Sequence, residues 1–192
     1  ISILSKVRTS KNFNEININY GTYFNCKDAS FIDDKHHTIE VLGGDSQGNM
    51  QIDGYANIDD LEHKDDINKY KLIMHSMPGR NSTLVGDGTT YGNSEVKIIG
   101  RSAICKDAYI VLATSDSIEE LKCIMSYFNT KFVRGLIYCG CVGTSARCKE
   151  FWRFVPDPGA FDHIFTDDEL YKKYNLTKDE IDLIESVIKE RK

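Results

Sequence analysis

Residues 109–134 read YIVLATSDSIEELKCIMSYFNTKFVR, and this stretch decides the fold. Tyr109–Ala113 is apolar and β-branched, the composition of a strand. Four residues later Ser117 stands three positions before Glu120, the spacing of a capping box that starts a helix. Ile118, Leu121, Met125, Phe128 and Phe132 then recur at intervals of three and four, one apolar stripe on one helical face. The spacing predicts a continuous helix from Ser117 to Phe132, with Lys131 and Arg134 beside the stripe. A strand feeding such a helix places the chain among folds that mix both element types.

Upstream, Ile39–Leu42, Tyr70–His75 and Val96–Gly100 read as further strands, each closed by a glycine, proline or polar turn. Val85–Asn93 (VGDGTTYGN) is a glycine-rich loop. It lacks the residue order of a phosphate-binding loop, so an ordinary loop is the favoured reading. Residues 1–38 show only weak periodicity. Downstream, Thr166 with Glu169 and Thr177 with Glu180 form two more capping boxes. Phe165 with Leu170 and Leu176 with Ile181 are placed as their hydrophobic staples, and Ile181, Ile184 and Ile188 form the stripe of the last helix. The expected fold is α/β or α+β: a mixed, mostly antiparallel sheet, one packed central helix and a C-terminal helical pair. Residues 1–153 form the main domain in this reading, and 154–192 a helical extension packed on it.

The 192 residues, 41% of them apolar and 28% charged, suit a soluble globular chain. No run is long enough to span a bilayer and no export signal is present, so a cytoplasmic location with reduced thiols is expected. The chain opens on Ile1, which reads as an excised domain or a trimmed terminus, with part of a longer parent expected beyond it. The net charge is −5, but it is uneven: −5 over residues 1–63, +4 over 64–153 and −4 over 154–192. A basic centre between acidic ends can meet DNA if its cations share one face.

Catalytic signatures are scarce. The glycine-rich cofactor loop and the Asn/Asp-Pro-Pro-aromatic loop of an amino-methyltransferase are both missing from the sequence. Asp116 with Glu120-Leu121-Lys122 imitates the acidic and Glu-x-Lys pattern of a metal-dependent nuclease, but on a helix rather than on adjacent strands. Cys139, Cys141 and Cys148 supply three potential zinc ligands where four are usual, with His163 the nearest fourth, so buried or incidental thiols are the favoured reading. His36–His37 reads as solvated loop. No metal ligand and no catalytic residue is assigned.

The C-terminal half is more specific. Tyr109 and its strand, Tyr127…Thr130-Lys131-Phe132…Arg134 and Phe154-Val155-Pro156 carry a resemblance. So do Thr166-Asp167…Leu170-Tyr171…Tyr174 and Leu176-Thr177…Glu180-Ile181…Ile184-Glu185; Ile3…Lys6-Val7 and Tyr70-Lys71 fit less sharply. The pattern is similar to the C-terminal, TaqI-like specificity domain of Type II restriction–modification adenine-N6 methyltransferases and restriction enzymes. It is specific over about residues 105–190 and weak before them. Residues 139–148, CGCVGTSARC, depart from the family's Thr/Gln-rich stretch.

The resemblance implies a fold like the target-recognition half-domains of Type I specificity subunits. It also implies a task, reading duplex DNA for an upstream methyltransferase or nuclease domain. S-adenosylmethionine would belong to that domain and no cofactor to this segment. DNA binding draws on cations for phosphates and on forked or amide side chains for bases. The candidates are Lys71, His75, Arg80, Asn81, Thr83, Tyr91, Arg101, Lys131, Arg134 and Arg147. Two other readings are a metal-dependent restriction endonuclease domain and a protein-interaction domain that docks a methyltransferase subunit through residues 154–192.

Overall fold

The computed structural model describes residues 2–7, 23–26, 39–44, 49–76, 84–140 and 152–191. They form a mixed α+β fold with two three-stranded sheets. In chain order the elements are α1 (Ser2–Val7), β1 (Ile39–Gly44), β2 (Met50–Ala56), a 3-10 turn (Ile58–Asp60), α2 (Lys64–Ile67), β3 (Tyr70–His75), β4 (Val96–Ile99), β5 (Ala103–Cys105) and β6 (Tyr109–Ser115). Helices α3 (Ile118–Asn129), α4 (Lys131–Gly140), α5 (Asp167–Lys173) and α6 (Lys178–Val187) follow.

The inner sheet has the order β4-β3-β6 and is antiparallel throughout. β3 and β6 are buried on both faces, which is why YKLIMH and YIVLA are nearly unbroken apolar runs. Leu72, Met74, Val96, Ile110 and Leu112 face the helices, where Leu121, Phe128, Phe132 and Trp152 fill the core. Ile73, Ile99, Tyr109 and Val111 face the second sheet, where they meet Ile39, Val41, Ala56 and Ile104. The result is a helical layer, an inner sheet and an outer sheet. The outer sheet has the order β2-β1-β5, with β1 antiparallel to β2 and parallel to β5. The expected single sheet is therefore two.

The expected long helix is also two. Thr130 is extended (ψ 146) and caps α4: its hydroxyl accepts from the Val133 amide at 3.3 Å and donates to the Tyr127 carbonyl at 2.8 Å. The other leading amides of α4, Lys131 and Phe132, donate to the Asp167 carboxylate at 3.0 and 2.8 Å. A helix leaves its first amides unpaired, and here a carboxylate from the next helical unit satisfies them. α4 runs on to Gly140, past the point where the glycines and cysteines suggested a loop.

Ser117 caps α3 as expected, but the capping box is incomplete. The Glu120 carboxylate accepts from the Ser115 hydroxyl at 2.6 Å, and Ser115 also accepts from the Ser117 amide. At α5, Thr166 accepts from the Glu169 amide while the Glu169 side chain turns to His163. Only Thr177–Glu180, at α6, closes in both directions. Residues 154–191 pack on the inner sheet and its helices. Trp152, Val155, Phe165, Leu170, Tyr171, Tyr174 and Ile184 belong to the same core as the inner sheet.

Candidate nucleic-acid interface

β3 carries two of the expected DNA-binding side chains near opposite ends. Lys71 lies at its start, and its side chain is wholly buried. The ammonium donates to the carbonyls of Ile67 and Arg101, the latter at 2.8 Å, and sits 5.7 Å from the centre of the Phe24 ring. Burial pushes its pKa down to about 8. The ammonium is thus an internal tie between α2, the inner sheet and the turn before β5. Arg101 lies over the Tyr70 ring at 4.8 Å and donates to the carbonyls of Asn68 (3.2 Å) and Asp116 (2.9 Å). It remains exposed, with the Asp116 carboxylate 3.5 Å away.

Four residues beyond Lys71, roughly 13 Å along the strand, His75 packs edge-on against Tyr109 at 5.3 Å. Tyr91, Lys131 and Arg134 meet around the C-terminal segment 187–191. Arg134 is 1% exposed. Its guanidinium donates to the carbonyls of Asn129 (2.9 Å), Tyr91 (3.3 Å) and Lys189 (2.7 Å). Burial lowers its pKa, against the nearby charges of Asp167, Glu190 and Glu185. Arg134 is a buried clamp on three carbonyls. Lys131 is engaged by Glu185 and Glu190, the latter at 3.1 Å. Tyr91 is 40% exposed, with the cations of Lys189 and Arg191 each 6.0 Å from its ring centre. Arg80, Asn81, Thr83 and Arg147 lie outside the described residues.

Among the described residues, then, the expected cations do not share one exposed face. The sequence showed their charge but not their partners, of which the carbonyls of Arg101, Tyr91 and Lys189 lie 30 or more residues away in the chain. A cation can also seal a joint between elements when carbonyls ring it, and this is the role Lys71 and Arg134 take.

Lys71 supports a pH prediction. Its folded pKa lies below the ordinary lysine value, so between the two the unfolded chain binds more protons and stability rises with pH. Relative to Lys71→Met, the wild-type chain should gain about 1 kcal/mol between about pH 6.5 and pH 9. Urea denaturation at both pH values measures it, and parallel stability profiles for the two proteins would refute the buried ammonium.

Groups that suggested other chemistry are also accounted for. Glu120 and Lys122 are helical, and Glu120 is bonded to Ser115. His163 lies between the carboxylates of Asp162 (2.8 Å) and Glu169 (2.9 Å), whose hydrogen bonds raise its pKa. Cys139 is exposed, while Cys141, Cys148 and the His36–His37 pair fall outside the described residues. No cluster of three or more histidine, cysteine, aspartate or glutamate side chains is placed to hold a metal among the described residues. Nor is any described helix long and apolar enough to cross a membrane. Comparison with protein-family models, with characterised proteins and with solved structures returns no match to this chain.

One connected frame does emerge. The Tyr127 hydroxyl donates to the Pro156 carbonyl at 2.5 Å. Asp167 holds the start of α4, and Lys131 and the Tyr171 hydroxyl converge on Glu185. Phe132 stacks on Tyr174 at 5.1 Å. Thr177 and Glu180 cap each other, and Glu180 reaches Lys6 of α1 at 2.6 Å.

Proposed function

We propose that this chain is the sequence-specific DNA-recognition module of a restriction–modification enzyme. It positions an adenine-N6 methyltransferase domain, and in some such enzymes a nuclease domain, on its target. One observation supports the reading above others: the residues that carry the resemblance hold one another in place. Tyr127, Lys131, Phe132, Asp167, Tyr171, Tyr174, Thr177, Glu180 and Glu185 bond or stack with further members of the same pattern across α3, α4, α5 and α6. A shared frame of this kind requires its particular side chains, whereas a reading surface must differ between targets. The second layer, where the resemblance is weak, is then available to carry the specificity. Within this reading the fold corresponds to the recognition half-domains of Type I specificity subunits. S-adenosylmethionine chemistry belongs to the methyltransferase domain, since its signature loops are not in this sequence.

The expected result is retention of specific duplexes from a random pool, with affinity falling steeply as salt rises. Six phosphate contacts would cost about a thousandfold between 50 and 200 mM salt. Fluorescence anisotropy on the selected duplex measures the slope. No salt-sensitive binding at micromolar protein would overturn the proposal.

A further inference from the structure

We infer that the β1–β2 ribbon is the base-reading element, with Gln51 as an adenine-reading side chain. The inference rests on the DNA-recognition reading and names the element that does the recognising. Past Leu42, the last β1 residue paired with β5, the outer sheet continues as β1 and β2 alone, with Gly43 opposite Gln51 and Gly44 opposite Met50; a two-stranded antiparallel ribbon is one of the few protein elements that fit the major groove of B-DNA. β2 is the edge strand of the outer sheet, and its Gln51, Ile52 and Asp53 are all exposed. The ribbon's far end lies where other strands also finish. The Lys106 amide, just past β5, donates to the Leu42 carbonyl at 2.9 Å, and the Ser76 amide, just past β3, donates to the Ala108 carbonyl at 2.7 Å.

The ladder is irregular at this point. Val41 pairs with Gly54 but Leu42 pairs with Ile52, so Asp53 is an extra residue on β2. Such bulges re-aim a side chain. Here the Asp53 carboxylate lies over Gly43, so closely that a Cβ on Gly43 would fall 1.8 Å from its Oδ2. There it pairs with Lys106 Nζ at 3.2 Å and accepts from Gln51 Nε2 at 3.1 Å.

This contact sets the orientation of the amide. A carboxylate only accepts, so the Gln51 nitrogen faces Asp53. One N–H of that nitrogen and the amide oxygen remain for a ligand. They are the donor and acceptor that adenine N7 and N6 require when read by glutamine. Lys106 offsets the charge of Asp53, and the ribbon has no excess of cations. Its chemistry therefore suits reading bases rather than holding phosphates, which are separate tasks.

The test uses the full chain and duplexes selected from a random pool, with each position of the selected sequence then varied. Wild type should prefer A·T over other pairs at one position by about 10–100-fold. Gln51→Ala should reduce that preference below about threefold, with the salt slope and thermal stability unchanged. Asp53→Asn, which no longer dictates the amide's orientation, should weaken the same position and no other. Unaltered selectivity in Gln51→Ala, while wild type binds selectively, overturns the ribbon assignment and leaves the recognition reading standing. Absence of selective binding by wild type overturns both.

Discussion

Arg134→Met is expected to lower stability by about 3–5 kcal/mol, enough to unfold a marginal domain at 37 °C. The substitution keeps most of the volume and removes the donors. Three carbonyls, from Asn129, Tyr91 and Lys189, then lose a charged partner in a site closed to solvent. Each such loss costs about 1–3 kcal/mol. They also belong to three different segments, so the joint among α3, the 84–95 loop and the C-terminal segment opens as a unit. Arg134→Lys should recover only part of the loss, because one ammonium cannot reproduce the fork of a guanidinium. Chemical denaturation of the three proteins decides the matter. A cost under about 1 kcal/mol for Arg134→Met would show that the clamp contributes little.

Gly92→Ala should be nearly as damaging, by about 2–5 kcal/mol. Gly92 has φ +82, a conformation that disfavours any side chain. A methyl there would also lie 2.4 Å from the Arg134 carbonyl oxygen and 2.9 Å from its carbonyl carbon, both rigid backbone atoms of α4. Gly88 is the matched control. Its φ is +77, yet nothing lies within 4 Å of an added Cβ. Gly88→Ala should therefore cost only the conformational part, about 1–2 kcal/mol. Equal losses in the two variants would mean that the close approach of the loop to α4 is unimportant.

Legibility in the sequence followed burial. β3 and β6 stood out because both of their faces are covered, which leaves continuous apolar runs. β1, β4 and the starts of α3, α5 and α6 were legible for local reasons, a short apolar run or a capping residue. β2 was not, since MQIDGYA lies at an edge with three consecutive exposed residues, and β5 is too short for a periodicity. The break at Thr130 was missed because the apolar stripe continues through it. Its signal was Asp167, which only the folded chain brings to the α4 amides. The candidate site was least legible where it rested on charge. Lys71 and Arg134 satisfy internal carbonyls, while Gln51 and Asp53 lie in the acidic first third and Lys106 in the basic centre, and only the fold brings the three together.

The parallel pairing of β1 with β5 bears on the order of assembly. Glu40 aligns with Ala103, and the whole β3–β4 hairpin lies in the chain between them. Closing so long a connection is entropically slow, whereas β3 and β4, close in sequence, meet early. The outer layer should therefore dock last, on a nucleus of hairpin and helices already in place. Late docking also makes it the layer that can be altered at least risk to folding, so in the proposed recognition role new base preferences would arise in it while the nucleus keeps its sequence.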